Sequence, residues 1–192
     1  ETLRQPLEDG SIQVSRASKS LVFPASFMLV CAMNPCPCGY YTDPKKSCSC
    51  NTTKIQNYMG KISGPLLDRI DIHIELQSVK YRELSDTSEA EPSKAIKERV
   101  EKARSIQRER FKGEGIFYNA QMNTRQIKKY CLLNDKAREM LKMAMIELAL
   151  SGRAYDKILK LSRTIADLAG IETITSAHIL EAAQYRSLDR NF

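Results

Sequence analysis

Tryptophan is absent from these 192 residues, and histidine occurs only twice. No apolar run approaches the roughly 20 residues that cross a bilayer, and no signal-peptide pattern is visible, so we expect a cytoplasmic protein with no membrane partner. A phosphate-binding P-loop, Gly-x-x-x-x-Gly-Lys-Ser/Thr, is also missing. The most similar segment is Gly60-Lys61, but Ile62 follows it where the motif requires Ser or Thr. This stretch alone is therefore not expected to build a nucleotide site.

The composition allows a buried core, because 42% of the residues are apolar, and the length suits one large domain or two small ones. The 30 basic residues exceed the 23 acidic ones, for a formal charge of +7. Such a modest excess is compatible with an anionic partner. The chain begins at Glu1 in the middle of a helical pattern, and we expect it to be a piece of a longer protein.

Cysteine clustering is the strongest local signal. Without a secretory signal, paired cysteines indicate a metal more often than a disulfide. Two Cys-x-Cys pairs separated by nine residues can supply four thiolate ligands to Zn²⁺, although Cys-x-x-Cys is the usual spacing and free thiols in a loop are the alternative. Because the loop has few apolar residues, the metal would be its local core. The four candidate ligands are Cys36, Cys38, Cys48 and Cys50.

Residues 1–80 are predicted to be the end of an α/β domain. A helix tail stops at Gly10. Two alternating segments on either side of a polar turn then predict a β-hairpin, with Arg16 and Lys19 near its tip. These two cations are candidate contacts for DNA phosphates.

Two further strands are predicted, one on each side of the Cys-rich loop 35–51. The apolar run 27–33 ends at Asn34, which indicates a buried strand with a polar side chain at its carboxyl end, where open α/β sheets place their chemistry. Asp71 to Leu76 alternates and is predicted to be the second strand. Cys31 is expected in the core of the first strand, and His73 on the polar face of the second.

Helical patterns dominate the rest of the chain, after a polar linker predicted at 81–92. Residues 93–192 are therefore predicted to form a small all-α domain. Three of its helices are expected to begin after a capping residue: Ser93, with the helix ending at about Phe111, Asn134, and Thr175, with the helix ending near Arg186. Two further helices are expected over residues 124–131 and 153–169.

Two arginines have ordinary and functional interpretations. Arg69 follows a turn and lies beside Asp68 and Asp71, and such an arginine is usually a surface ion pair. Arg153 opens a long helix, where the helix dipole disfavours a cation unless an anion is near.

Taken together, these residues resemble the Mg-chelatase-like AAA+ ATPases, and most closely their competence-linked bacterial branch of DNA branch-migration helicases. The matching segments span nearly the whole chain. They are Arg4-Gln-Pro-Leu-Glu-Asp-Gly10, Val14-Ser-Arg-Ala17, Phe23-Pro-Ala-Ser-Phe27, Ala32-Met-Asn-Pro-Cys-Pro-Cys-Gly39, Ser63-Gly-Pro-Leu-Leu-Asp-Arg-Ile-Asp71 and Ser162-Arg-Thr-Ile-Ala-Asp-Leu168.

The resemblance implies a role for each candidate residue. Asn34 is similar to sensor 1, beside the γ-phosphate and the attacking water. Arg69 is similar to the arginine finger that enters a neighbouring subunit's site, and Arg153 to sensor 2 at the lid. The hairpin that carries Arg16 and Lys19 is similar to the pore-lining hairpin of ring helicases.

The resemblance also implies a fold and an activity. The chain would be the C-terminal part of a AAA+ P-loop NTPase base domain followed by a helical lid, with the Walker A and B motifs before Glu1 and no activity in this fragment alone. The parent would use ATP and Mg²⁺, self-associate into a ring, with a hexamer expected, and act on DNA in recombination. Two alternatives stay open: a magnesium-chelatase-type metal-insertion motor, and a zinc-dependent nucleic-acid-binding module without ATPase activity.

Overall fold

Two compact units make up the chain in this computed structural model. The first comprises residues 1–70 and 75–78, and the second residues 71–74 and 79–191. Most of the predicted linker, and residues 17 and 18, lie outside the part of the chain that can be described. The structure describes residues 2–16, 19–76, 79, 90–148 and 150–186.

A short helix leads directly into a β-hairpin in the first unit. Helix α1 (Arg4–Asp9) ends at Gly10, whose left-handed φ of 61° favours glycine and whose N–H donates to the Pro6 carbonyl at 3.0 Å. Strands β1 (Ser11–Arg16) and β2 (Lys19–Pro24) follow and pair antiparallel. The predicted hairpin and the predicted stop at Gly10 are confirmed.

The hairpin has two chemically different faces, because side chains alternate along each strand. The polar face is tied together by hydrogen bonds from Gln13 Nε2 to Ser20 Oγ at 2.8 Å and between Ser15 Oγ and Ser20 Oγ at 3.0 Å. On the opposite face, Arg16 lies across from Lys19 at the end of the ladder. That face continues with four exposed apolar side chains, Ile12, Val14, Leu21 and Phe23.

Two short helices complete the first unit. Helix α2 (Thr52–Met59) begins after Asn51, whose side chain accepts the Lys54 N–H at 2.8 Å. Helix α3 (Gly64–Leu67) is a single turn with proline near its start, where the fixed φ of proline is compatible with a helix. The sequence pattern predicted only a turn at α3, because four residues are too few to display helical periodicity.

The two strands predicted beside the Cys-rich loop are not formed. Residues 27–33 and 71–76 have no strand assignment, because β1 and β2 form the only sheet in the described part of the chain and no other strand supplies ladder partners. Val30 is 81% exposed and Leu76 is 88% exposed. Cys31, predicted in a strand core, is exposed, whereas His73, predicted on a polar face, is buried.

The described residues of the second unit contain five helices and one 3₁₀ turn (Asn119–Gln121). The predicted caps at Asn134 and Thr175 are confirmed, but the cap before the first helix is Pro92 and not Ser93. The helices are α4 (Ser93–Arg110), α5 (Thr124–Tyr130), α6 (Asp135–Glu147), α7 (Gly152–Leu168) and α8 (Ser176–Gln184).

An apolar core lies between these helices. Each fully buried aliphatic side chain contributes about 1.5–3 kcal/mol relative to an exposed one, so the helices are stabilised mainly by their packing. Helix α7 is buried along one whole face, as its periodicity predicts. The core consists of Phe111, Met122, Ile127, Cys131, Ala137, Leu141, Ile158, Leu159, Ala166, Ile174, Ile179 and Ala182.

A buried ionic network is enclosed within the same unit. The Asp167 carboxylate accepts two hydrogen bonds from Arg110, at 2.7 and 2.5 Å, and one from Arg163 Nε at 3.0 Å. Asn119 Nδ2 donates to the same carboxylate at 2.8 Å. The segment Ser162 to Leu168, one of those that suggested the family, is therefore explained here by packing inside the helical unit.

No helix within the described ranges is long and apolar enough to cross a membrane.

Candidate functional site

Four cysteine sulfurs meet in the first unit. The Sγ atoms of Cys36 and Cys38 are 3.3 Å apart, those of Cys38 and Cys48 3.5 Å, and those of Cys36 and Cys48 3.7 Å. The Cys50 sulfur completes the group, and all four lie within 4.8 Å of one another. The two Cys-x-Cys pairs are thus brought together although nine residues separate them.

This spacing fits a tetrahedral metal site. A Zn²⁺ ion bound at about 2.3 Å from each of four thiolates places the sulfurs about 3.8 Å apart. A disulfide would bring two sulfurs to about 2.05 Å, and all four thiols are free. Both the type and the geometry of the donors therefore suit zinc.

Local turns explain why the loop folds around the sulfurs. Gly39 has φ of 82°, which favours glycine, and its N–H donates to the Cys36 carbonyl at 3.0 Å. Asp43 Oδ1 accepts the backbone N–H groups of Lys45 at 2.7 Å and Lys46 at 2.9 Å. These turns direct both pairs inward, and Cys36 is fully buried.

The thiols differ in acidity. The N–H of Tyr40 and the neighbouring Cys36 thiol lower the pKa of Cys38 to about 5. The N–H of Cys50 lowers the pKa of Cys48, but burial and the adjacent thiols outweigh it and raise that pKa to about 12. The Cys38 thiolate therefore forms readily, whereas the Cys48 thiol resists ionisation. A divalent cation bound by these sulfurs would hold them deprotonated.

Asn34 lies immediately before this cluster. Its side chain is exposed, and a Cβ added at Gly39 would lie 4.0 Å from the Asn34 side-chain amide. The turn that carries Cys36 and Cys38 therefore packs beside Asn34. The chain places this amide next to the metal-like centre, although it does not end a strand in this structure.

Arg69 is largely buried and held by several hydrogen bonds. Helix α3 positions it, because Leu67 is buried and the Arg69 N–H donates to the Leu66 carbonyl at 3.0 Å. Its Nη1 donates to the Pro65 carbonyl at 2.6 Å. Its Nε donates to Glu8 Oε2 at 3.1 Å, and its Nη2 contacts the same oxygen. Sequence reasoning offered Asp68 and Asp71 as partners and missed Glu8, which is the carboxylate that Arg69 contacts here.

Arg153 is the second residue of α7 in the other unit. The Ser151 hydroxyl caps this helix by accepting the Ala154 N–H at 3.2 Å, and Arg153 is exposed in the first turn. One turn further on, Lys157 Nζ pairs with Asp71 at 2.8 Å. No local pattern in the sequence predicts this ion pair, because 86 positions separate its members.

Two family models match the chain in succession. The model described as magnesium chelatase, subunit ChlI, matches residues 1–84. The model of the ChlI C-terminal region matches residues 90–186.

Relatives match over nearly the whole chain. The competence protein ComM of Haemophilus influenzae is 44% identical over 99% of this chain. The uncharacterized protein YifB is 37% identical in Salmonella typhimurium and 38% identical in Escherichia coli, again over 99% of this chain. The matched region spans only 36% of ComM and 37% of each YifB protein.

Proposed function

Because this chain belongs to the Mg-chelatase-like, ComM-type family, we propose that it is the C-terminal part of a AAA+ ATPase. Residues 1–80 would be the end of the α/β base, 81–92 the linker and 93–192 the helical lid. The observation that carries this proposal is the pair of family-model matches, one over 1–84 and one over 90–186.

The parent protein would supply what this chain lacks. No P-loop occurs among these 192 residues, and the relatives are almost three times as long. We expect the remainder of the parent to contribute the phosphate-binding loop and the Mg²⁺ site. It would also contribute strands that pair with residues 27–33 and 71–76, which explains why Val30 and Leu76 are so exposed in this chain.

Three residues would act during ATP hydrolysis. Asn34 would orient the attacking water, Arg153 would contact the phosphates of ATP, and Arg69 would reach the γ-phosphate bound by a neighbouring subunit. Phosphoryl transfer depends mainly on placed positive charge and an oriented nucleophile, and these side chains supply such groups. An arginine that acts in trans requires a neighbouring subunit, and we propose that the subunits form a hexameric ring.

The hairpin suggests that the motor acts on DNA. Arg16 and Lys19 lie opposite each other at its tip, and both are exposed. The relative ComM is named a competence protein, which is consistent with DNA as the polymer that is moved. We propose that the parent drives DNA branch migration during recombination.

The proposed DNA contact can be tested in the full-length protein. Replacing Arg16 and Lys19 by alanine should weaken binding to all sequences and reduce the salt dependence by up to about two phosphate contacts. A matched control is Lys54→Ala together with Lys61→Ala, which removes the same charge elsewhere in the unit. Equal salt slopes for wild type and the hairpin variant would exclude the hairpin from the DNA path.

The four cysteines would hold one structural zinc ion. Zinc would cross-link the two halves of the Cys-rich loop and keep the turn beside Asn34 in place. Protein purified without a chelator is expected to contain about one zinc per chain. Cys48→Ser should lose the metal, whereas Cys31→Ser, which changes an exposed cysteine outside the cluster, should retain it. Metal-free wild-type protein with four freely titrating thiols would contradict this assignment.

Two alternatives predict different behaviour. A metal-insertion motor would hydrolyse ATP without stimulation by DNA, whereas we expect DNA to raise the ATPase rate of the full-length protein. A zinc-dependent nucleic-acid-binding module would bind DNA as this 192-residue chain without nucleotide. We expect this chain alone to show no ATPase activity, and turnover that is lost in Asn34→Ala would contradict that expectation.

A further inference from the structure

The Glu8 carboxylate restrains the guanidinium of Arg69 within the first unit. Arg69 Nε donates to Glu8 Oε2 at 3.1 Å, and Nη2 contacts the same oxygen. The Pro65 carbonyl accepts from Nη1 at 2.6 Å. All three guanidinium nitrogens are thus engaged, and the Arg69 side chain is only 13% exposed.

Glu8 is also connected directly to the hairpin. It lies in the last turn of α1, and only Asp9 and Gly10 separate it from β1. The Gly10 N–H donates to the Pro6 carbonyl at 3.0 Å, and the Gly10 carbonyl accepts the Ala25 N–H at 2.7 Å. These bonds join the end of α1, two residues after Glu8, to the base of the hairpin.

The contact with Glu8 opposes the work proposed for Arg69. A guanidinium stabilises the transferring phosphoryl group through its positive charge. A carboxylate at hydrogen-bond distance offsets that charge and repels an approaching phosphate. While Arg69 is bound to Glu8, its positive charge is therefore not available to a phosphoryl group, and release from Glu8 would make it available.

We propose that Glu8 is a positioning residue that withholds Arg69 until DNA engages the hairpin. DNA bound at Arg16 and Lys19 would displace the hairpin, and the connection at Gly10 would draw Glu8 away from Arg69. This inference rests on the proposed function, in which the hairpin binds DNA and Arg69 serves a neighbouring subunit. It adds the route by which DNA stimulates hydrolysis.

The test compares ATP turnover by full-length wild type, Glu8→Gln and Asp9→Asn, each with and without duplex DNA. Glu8→Gln removes the charge that retains Arg69, so its kcat without DNA should rise by about 5-fold or more, the range of ordinary allosteric coupling. DNA should then add little further stimulation. Asp9→Asn removes the neighbouring charge from the same helix and should behave as wild type.

Two further variants separate release of Arg69 from damage to the fold. Glu8→Asp keeps the charge but withdraws the carboxylate by one methylene group, and it should also raise the rate without DNA. The double variant Glu8→Gln/Arg69→Ala should be as inactive as Arg69→Ala, because Glu8 acts only through Arg69. A gain in kcat that depends on Arg69 is not expected from a merely structural loss.

The outcomes distinguish this inference from the function on which it rests. A wild-type rate that DNA does not change would count against the DNA-acting motor itself. If DNA stimulates wild type and Glu8→Gln equally, or if Glu8→Gln turns over more slowly than wild type without DNA, the restraint by Glu8 is wrong while the motor stands.

Discussion

Among the described residues, fifteen buried apolar side chains lie from Ala103 to Ala183, whereas the first unit contributes only Pro6, Cys36 and Leu67. The second unit is held together by an apolar core with an ionic network inside it. The first is held by a hairpin, short capped helices and a cluster of thiols. The comparison indicates that the described part of the second unit has an apolar core of its own, whereas the described part of the first unit has almost none. Under the proposed function, a metal and the rest of the parent would stabilise the first unit.

The sharpest difference should appear when metal is removed. A chelator added to the zinc-loaded chain should release the zinc and accelerate amide hydrogen exchange between Cys36 and Cys50, because structural zinc sites contribute apparent free energies of about 10–16 kcal/mol. Exchange in the core helices α6 to α8 should stay unchanged. If the chelator accelerated amide hydrogen exchange equally in both units, the first unit would not depend on the metal more than the second.

The next largest effect should come from the buried network of the second unit. Asp167→Ala leaves Arg163 buried without its carboxylate, and the free energy of unfolding should fall by about 3–5 kcal/mol in urea titrations. Glu139→Ala, on an exposed position of α6, should change it by less than about 0.5 kcal/mol. If the two variants changed the free energy of unfolding by similar amounts, the buried network would not stabilise the second unit.

Two asparagine caps allow a matched comparison between the units. Asn134 and Asn51 each accept a backbone N–H at 2.8 Å, from Ala137 and Lys54 respectively. Asn134→Ala should lower the stability of the second unit by about 1 kcal/mol, the usual effect of losing a cap. Asn51→Ala should leave the melting of the second unit unchanged, because α2 belongs to the first unit and contributes no buried residue. A shift of the same size from both variants would contradict the separation.

A smaller effect is expected in acid. Hydrogen bonds from Lys129, Tyr130 and Gln126 lower the pKa of Glu114 from 4.5 to about 2. Because the unfolded chain binds this proton more tightly, the stabilisation is complete above pH 4.5 and is lost as the pH falls toward 2. Between pH 4.5 and 2, the loss of stability with falling pH, followed by circular dichroism, should be smaller for Glu114→Gln than for wild type. It should be unchanged for Glu98→Gln, which alters an exposed residue.

The same contrast explains what could be predicted from the sequence. Helices that bury one face carry their period in the sequence, so α6 and α8 could be predicted with their caps. Helix α7 could be predicted as well, but its cap, Ser151, was missed. The strand predicted at 27–33 was wrong, because an apolar run forms a strand only where a neighbour supplies ladder hydrogen bonds. The contact between Arg69 and Glu8 was missed because 61 positions separate the two residues and no local pattern links them.

The Cys cluster could be predicted only in part. Its residues could be found from spacing alone, since two close pairs in a loop are an unusual pattern. The meeting of the four sulfurs depends on turns at Gly39 and Asp43 that spacing does not specify. The identity of the candidate residues was therefore predictable, while their arrangement required the structure.

The most direct test of the central proposal is whether Arg69 acts on a neighbouring subunit. In the full-length protein, Arg69→Ala should reduce ATP turnover by about 10³- to 10⁵-fold, with folding and ATP binding near normal. Mixing this variant with a subunit that cannot bind ATP but keeps Arg69 should restore part of the activity, because some interfaces then pair an intact ATP site with an intact arginine. A mixture that stays inactive although mixed rings form, or full turnover by Arg69→Ala alone, would contradict the proposal.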